Sequence, residues 1–208
     1  PQHSIAGLRD KETALIEKND SLKSVAYEHF RKSGRKGFPI VRSNAVQALD
    51  DADSLLSEKG YRPEIVFFDL PGTLKSDGVI KTLSQMDYIF TPVSADRFVV
   101  ESALQFVMMF NDNLVTTGLA KTKDISLFWT MVDGREKTGL YDLYGKLFAE
   151  NNFRVLDTRL PDSKRFRREP SDDRKSVFRS TILPPDTSML KGSRIRELSE
   201  EICSIING

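Results

Sequence analysis

The sequence predicts an α/β fold, with a mostly parallel sheet and helices on both of its faces. Short apolar runs alternate along the chain with amphipathic segments of helical spacing, and the connections between them are short. Since parallel strands need crossover connections, which helices usually supply, this alternation favours a parallel sheet. With 208 residues and 39% hydrophobic content the chain can bury one good-sized core. Length therefore favours a single domain over residues 1–208, with two domains as the alternative.

The first half of the chain is expected to contain helices and two strands. Recurring apolar positions predict one or two amphipathic helices over residues 4–32. The short apolar run 38–41 is typical of a strand, and apolar residues at helical spacing predict a helix over residues 45–59. The continuous apolar run 65–68 is typical of a strand that is covered on both faces.

The second half continues the alternation. Strands are predicted over residues 88–92, 125–132 and 153–157. Helices are predicted over residues 77–83, 96–114, 140–150 and 193–206, with Asp96 as a cap. Residues 159–186 show no periodicity and carry four prolines among many charges, which indicates a long basic loop that is functional or mobile.

Charge and cysteine content narrow the class of protein. The 31 basic side chains nearly balance the 30 acidic ones, so any attraction to DNA or membrane needs a local patch. Cys203 is the only cysteine, which excludes an internal disulfide and favours a reducing compartment. No apolar run approaches the roughly 20 residues that span a bilayer, and the first residues do not have the form of a signal peptide. We therefore expect a cytoplasmic protein without membrane contact.

The strongest candidate for chemistry is the sequence Ile65-Val-Phe-Phe-Asp69-Leu-Pro-Gly72-Thr73. An Asp that follows a buried strand can hold Mg²⁺, usually through water, and a glycine three residues later lets its N–H approach a terminal phosphate. Asp69 and Gly72 have this Walker-B-like D-x-x-G spacing. A plain turn after a strand would use the same residues, so that alternative stays open.

Five short stretches follow one another over nearly the whole chain. They are Pro1-Gln2-His3-Ser4, Asp69-Leu-Pro-Gly72, Tyr88-Ile-Phe-Thr-Pro92-Val93, Met131-Val-Asp133-Gly134-Arg135, and Leu160-Pro161 with Arg165. In this order they resemble the D-x-D-P-Q-x-S stretch, the Walker B end, the strand after it, the M-x-D-G-R stretch near the adenine pocket and the I-P-R-x-x-R region of ParA partition ATPases. The resemblance is closest to the ParA-like proteins of conjugative elements.

The resemblance implies a P-loop ATPase of the ParA/MinD type that uses ATP and Mg²⁺. Asp69 would be the catalytic residue and metal partner, directly or through water, and Gly72, Asp133, Arg135 and Pro161 would lie around the nucleotide. A simple turn remains the alternative for Asp133 to Arg135. The family's K-G-G-x-G-K-[ST] loop has no counterpart among the 12 glycines here. We therefore expect that the first strand, P-loop and helix are missing, and that this chain alone binds no cofactor and is nearly inactive.

The basic run in residues 159–186 is a second candidate site. It contains Lys164, Arg165, Arg167 and Arg168, which a solvated loop would also explain. ParA-like ATPases bind DNA without sequence preference through basic residues in their C-terminal part, so the resemblance implies phosphate-backbone contacts here. It also implies an ATP-dependent homodimer, a ParB-like protein that stimulates hydrolysis, and a role in partition or mobilisation of a plasmid or conjugative element.

Two other functions remain open. A non-catalytic interaction module would keep this fold without nucleotide binding, and a translation start near Pro1 would favour it over the ATPase. A MinD-like membrane-cycling ATPase would need a C-terminal amphipathic membrane helix. Residues 193–206 suit that role poorly because they include Glu197, Glu200 and Glu201.

Overall fold

The computed structural model describes residues 4–58, 60, 62–71, 78–135, 139–168 and 178–208. The fold is α/β, with about eight helices and a small parallel sheet. The chain divides into two compact units. We call Pro1–Thr73 with Ser163–Gly192 the helical unit, and Leu74–Asp162 with Ser193–Gly208 the sheet unit.

The elements alternate most regularly in the sheet unit. The strands are β1 (Tyr88–Val93), β2 (Asp124–Trp129) and β3 (Arg154–Val155), all parallel and in the order β1-β2-β3. The helices in chain order are α1 (Ser4–Lys18), α2 (Asp20–Ser33), α3 (Ala48–Leu56), α4 (Val79–Leu83), α5 (Arg97–Phe110), α6 (Leu140–Glu150), α7 (Thr187–Leu190) and α8 (Ile195–Asn207). Helix α5 continues into a π-helical turn, and Lys164–Arg167 forms one 3₁₀ turn.

The core of the sheet unit lies between the sheet and helices α5 and α6. Ile89 and Val93 of β1 are in register with Ile125 and Trp129 of β2, so their side chains share one face of the sheet. The buried residues of α5 recur at helical spacing and, with residues of α6, pack against that face: Val100, Ala103, Val107, Phe110, Tyr141 and Phe148. The apolar pattern that predicted these elements is therefore the pattern that builds the core.

Helix α5 begins where the sequence predicts it. The Asp96 carboxylate accepts hydrogen bonds from the backbone N–H groups of Phe98 (2.9 Å) and Val99 (3.1 Å). These two groups have no partner inside the first helical turn, so the cap satisfies donors that would otherwise need water.

The helical unit is held by a buried polar cluster. Glu12 of α1 is 1% exposed, and its carboxylate accepts hydrogen bonds from the Ser180 hydroxyl, the Thr181 hydroxyl and the Thr181 backbone N–H, the last at 2.7 Å. Arg9, three residues earlier on α1, donates from Nε to Thr181 Oγ1 (2.7 Å) and from Nη2 to the Thr181 carbonyl (3.0 Å). The end of the predicted long loop 159–186 is thus anchored to α1 around Thr181.

Two predicted strands are absent from the described structure. Residues 38–41 and 65–68 have no strand conformation, and Phe67 is 75% exposed. A strand requires a neighbour that pairs with its N–H and C=O groups, and neither run has one among the described residues. Of the predicted helix 77–83, residue 77 lies outside the described residues, and α4 covers the remainder from Val79. None of the helices in the described ranges is long and apolar enough to cross a bilayer.

Candidate functional site

Two of the predicted site stretches meet at the carboxyl edge of the sheet. After β2 and β3 end, the Leu160 N–H donates to the Trp129 carbonyl (2.8 Å), and the Val132 N–H donates to the Leu160 carbonyl (3.0 Å). The Asp162 N–H then donates to the Val132 carbonyl (2.9 Å), which makes a parallel bridge between Val132 and Pro161. The structure therefore brings the segment of Asp133 and Arg135 next to Pro161.

Asp133 and Arg135 form a closed pair in this segment. The Asp133 carboxylate accepts hydrogen bonds from the Arg135 backbone N–H (2.9 Å), from Nε (3.0 Å) and from Nη2 (2.8 Å). The side-chain hydrogen bonds from Arg135, with its backbone N–H, lower the pKa of Asp133 to about 2. The Arg135 side chain is 91% exposed, so the pair presents a guanidinium to solvent at the sheet edge.

The backbone conformation of Met131 is a feature of this edge that the sequence did not predict. It follows β2 with φ 56°, in the left-handed region, and its side chain is 57% exposed. A non-glycine residue in this conformation costs roughly 1–3 kcal/mol, and such residues concentrate at functional sites. No sequence signal indicated it, because the position carries no glycine or asparagine.

Asp69 is not where the sequence placed it. It lies in the helical unit, in the exposed segment 62–71, and the run before it is not a strand. The prediction of Asp69 at the end of a buried strand is therefore wrong for this structure. Gly72, its predicted partner, lies outside the described residues.

In the ranges that the structure describes, no three His, Cys, Asp or Glu side chains are grouped so that they could hold a metal ion. Nucleotide-bound Mg²⁺ usually takes only one or two carboxylates, with phosphates and water as the other ligands. A nucleotide-bound Mg²⁺ would therefore not require a group of three such side chains.

Arg165 holds its segment in place. The Ser163 hydroxyl caps the 3₁₀ turn and accepts a hydrogen bond from Arg165 Nε (3.0 Å). Arg165 Nη1 donates to the backbone carbonyls of Met189 (2.8 Å) and Lys191 (2.6 Å) at the end of α7. Its guanidinium is therefore used within the helical unit.

The other three residues of the predicted DNA-binding run differ from Arg165. Lys164, Arg167 and Arg168 are exposed on the same short segment. The sequence analysis gave all four cations the same role. In the structure, Arg165 positions the segment, and the other three side chains are exposed to solvent.

A cleft of about 430 Å³ lies beside β3 and α6 in the sheet unit. The buried Trp129 contacts the Tyr141 ring edge-on, with ring centroids 5.2 Å apart, and the Arg159 guanidinium lies 5.4 Å from the centroid of the Tyr141 ring. Arg159 also lies 3.6 Å from the Asp142 carboxylate. The sequence reasoning did not predict this cleft, whose residues come from separate parts of the chain.

Comparison of the chain with protein-family models, curated proteins and solved structures found no match.

Proposed function

We propose that this chain is the larger, C-terminal part of a ParA-like P-loop ATPase that partitions or mobilises a plasmid or conjugative element. The observation that carries the proposal is the junction at the carboxyl edge of the sheet, where Val132 bridges Pro161. Parallel α/β folds bind ligands at the carboxyl ends of their strands. Met131 to Arg135, which resembles the family's stretch near the adenine pocket, meets Leu160-Pro161, which resembles the family's I-P-R-x-x-R region, at such an edge.

The contacts of helix α8 support a three-layer arrangement. Tyr88 precedes Ile89 in β1, so its side chain projects from the face opposite the apolar core. The Tyr88 hydroxyl donates to the Ile206 carbonyl of α8 (3.4 Å). Helices on both faces, as in P-loop folds, would follow from α8 on this face and α5 and α6 on the other.

Exposed apolar side chains support the proposed ATP-dependent dimer. Phe98 and Leu143 lie in the first turns of α5 and α6, the helices that follow β1 and β2, and both are largely exposed together with Met131. Apolar side chains that gather at one edge of a domain mark surfaces that bind other proteins. Under this proposal two copies associate through the carboxyl edges of their sheets.

The chemistry proposed for the intact protein is positioning and charge stabilisation. Bound ATP and Mg²⁺ would supply the phosphoryl group and most of the positive charge, because phosphoryl transfer needs little covalent chemistry from the protein. Asp69 would help to hold the metal, Gly72 would approach the γ-phosphate, and Asp133, Arg135 and Pro161 would line the base. A P-loop segment outside this chain is required, so the chain alone should be nearly inactive.

The test uses an intact protein in which a K-G-G-x-G-K-[ST] segment precedes this chain. Asp69→Ala should abolish Mg²⁺-dependent ATP hydrolysis. Asp53→Ala, which removes an exposed carboxylate from α3, should leave hydrolysis unchanged. Turnover that survives Asp69→Ala would remove Asp69 from the proposed site.

One observation favours the non-catalytic interaction module as a second candidate. Residues 65–68, directly before Asp69, form no strand, so the described structure does not hold this carboxylate at a strand end. Equilibrium binding of a fluorescent ATP analogue to the intact protein separates the two functions. If the protein is an interaction module, the analogue should not bind even with the upstream segment present. If it is an ATPase, the analogue should bind in a Mg²⁺-dependent way.

DNA binding completes the proposal. Lys164, Arg167 and Arg168 would contact the phosphate backbone in the ATP-bound dimer, and a ParB-like partner would stimulate hydrolysis and release. Charge reversal of these three residues should weaken binding of the intact, ATP-bound protein to DNA at low salt in a mobility assay. Arg165 should be kept, because its loss would disturb the segment itself.

A further inference from the structure

A second basic surface lies on the helical unit, at the end of α2. Residues 29–49 include five basic side chains and no acidic one, although the two signs nearly balance over the whole chain. Four of the five cations are concentrated in the sequence Arg31-Lys-Ser-Gly-Arg-Lys36, which we call the basic loop. This loop is exposed throughout.

Three cations of the basic loop face solvent without an acidic partner. Arg31 is paired with Glu28, one turn earlier on α2, at 2.8 Å. In the part of the chain that the structure describes, no ion pair or hydrogen bond involves the side chains of Lys32, Arg35 or Lys36. Three unpaired cations within five residues form a strongly positive site.

The basic loop is held on both sides. Its first residues lie in the last turn of α2, which ends at Ser33 and is capped by Gly34 with a φ of 63°, in the left-handed region that glycine adopts without strain. Beyond the loop, Arg9 Nη1 donates to the Phe38 carbonyl (3.1 Å), and its guanidinium lies 4.8 Å from the centroid of the Phe38 ring. Because the loop is already positioned, a ligand would lose little affinity to ordering it.

Helix electrostatics account for only part of this charge. Arg31 and Lys32 lie in the last turn of α2, where cations are favourable beside the carbonyl end of the helix dipole. Arg35 and Lys36 lie beyond the Gly34 cap, and the dipole effect falls off within the last turn. The helix dipole therefore does not account for Arg35 and Lys36.

We propose that the basic loop is a contact site for the phosphate backbone of double-stranded DNA, separate from the run at Lys164 to Arg168. Five residues span at most about 18 Å, which matches several phosphates along one strand. Arg35 supplies a planar guanidinium suited to phosphate oxygens. The apolar side chains of a membrane-inserted helix are absent between Arg31 and Lys36. The proposal extends the DNA binding proposed above and rests on it, but the contact needs neither nucleotide nor dimer.

The test measures binding of the 208-residue chain to a fluorescent duplex of arbitrary sequence by anisotropy, at several salt concentrations. The triple variant Lys32→Ala, Arg35→Ala, Lys36→Ala should bind at least about tenfold more weakly at low salt. The slope of log affinity against log salt should fall in magnitude by about 2.7, since each lost phosphate contact accounts for about 0.9. Its circular dichroism should be unchanged, because all three side chains are exposed.

Two matched variants make the result specific. Lys81→Ala, Lys121→Ala, Lys146→Ala removes the same charge from exposed positions of the sheet unit and should leave the slope unchanged. Lys164→Ala, Arg167→Ala, Arg168→Ala tests the run from the proposed function. If this second variant reduces the slope and the basic-loop variant does not, the basic loop is not a contact and the proposed DNA binding stands.

Other outcomes would also overturn the basic-loop proposal. One such outcome is that the wild-type chain shows no salt-dependent binding to the duplex. The proposed function would still be supported if the intact protein bound DNA in the presence of ATP. Binding to phosphatidylserine vesicles that the basic-loop variant loses, with no binding to the duplex, would identify a membrane surface instead. Intact protein carrying the basic-loop variant should keep its ATP hydrolysis.

Discussion

The two units of this chain are held together in different ways. In the sheet unit, large apolar side chains from both strands and helices form one continuous core around Trp129 and Phe148. In the helical unit, only four apolar residues among the described ones are buried, two of them alanines: Ala6, Leu8, Ala26 and Leu183. Its centre instead contains the buried Glu12 carboxylate. Periodic apolar residues thus explain how the sheet unit is stabilised. The stability of the helical unit depends in addition on a specific buried polar cluster.

The largest expected effect tests the apolar side of this comparison. Phe148 of α6 is fully buried against Trp129, so Phe148→Ala should lower the free energy of unfolding by about 4 kcal/mol. Denaturant unfolding followed by the fluorescence of the single tryptophan measures it. Leu143→Ala, an exposed position on the same helix, is the control and should change stability by less than about 0.5 kcal/mol.

The next effect tests the polar side. Glu12→Ala leaves the hydroxyls of Ser180 and Thr181 and the Thr181 N–H without their acceptor, and should cost about 3 kcal/mol. Glu12→Gln keeps one acceptor oxygen and should cost less. Circular dichroism under denaturant reports this loss. Trp129 fluorescence, which reports on the sheet unit, should keep its denaturation midpoint. If both probes show the same lowered midpoint, the two units unfold together and are not independently stable.

A smaller effect concerns the start of helix α5. Asp96→Ala removes the acceptor for the N–H groups of Phe98 and Val99, and should cost about 1 kcal/mol. Asp96→Asn can still accept one of these bonds and should lose only a few tenths. A thermal unfolding midpoint that is unchanged in Asp96→Ala would show that the cap contributes nothing to the sheet unit.

The smallest effect is a pH dependence at the sheet edge. The pKa of Asp133 is lowered from 3.8 to about 2 by Arg135, so the pair stabilises the fold above about pH 4 and loses its effect as pH falls toward 2. In Arg135→Ala the pKa of Asp133, followed by carbon NMR, should rise toward 3.8. A pKa that stays near 2 would contradict the pairing.

The comparison also explains which parts of the fold the sequence predicts. The strands 88–92 and 125–132, the helix 140–150 and the Asp96 cap depend on local periodicity and local hydrogen bonds, and the structure has β1, β2, α6 and the cap at these places. The run 65–68 has the composition of a buried strand but no strand beside it in the described structure. A strand depends on pairing with residues distant in sequence, and composition cannot show that the partner is present.

The candidate site likewise combines features that could be expected from the sequence with contacts between distant segments that could not. The resemblance to a family, and no local pattern, grouped Asp133 with Pro161, and in the structure their segments meet after β2 and β3. The role of Arg165 depends on α7, more than 20 residues away, and the burial of Glu12 depends on Ser180 and Thr181. Contacts between distant segments leave no local pattern, so sequence periodicity could not reveal them.

The carboxylate of Glu201 limits where this sheet can grow. It accepts the N–H groups of Asp157 (2.7 Å) and Thr158 (3.0 Å), directly after β3, so an incoming strand would find those donors already taken and a negative charge in their place. On the opposite side β1 pairs only with β2 in the described residues, and its Pro92 has no N–H to donate to a further strand. A single side chain of α8 therefore occupies two donors that directly follow the last strand of the sheet.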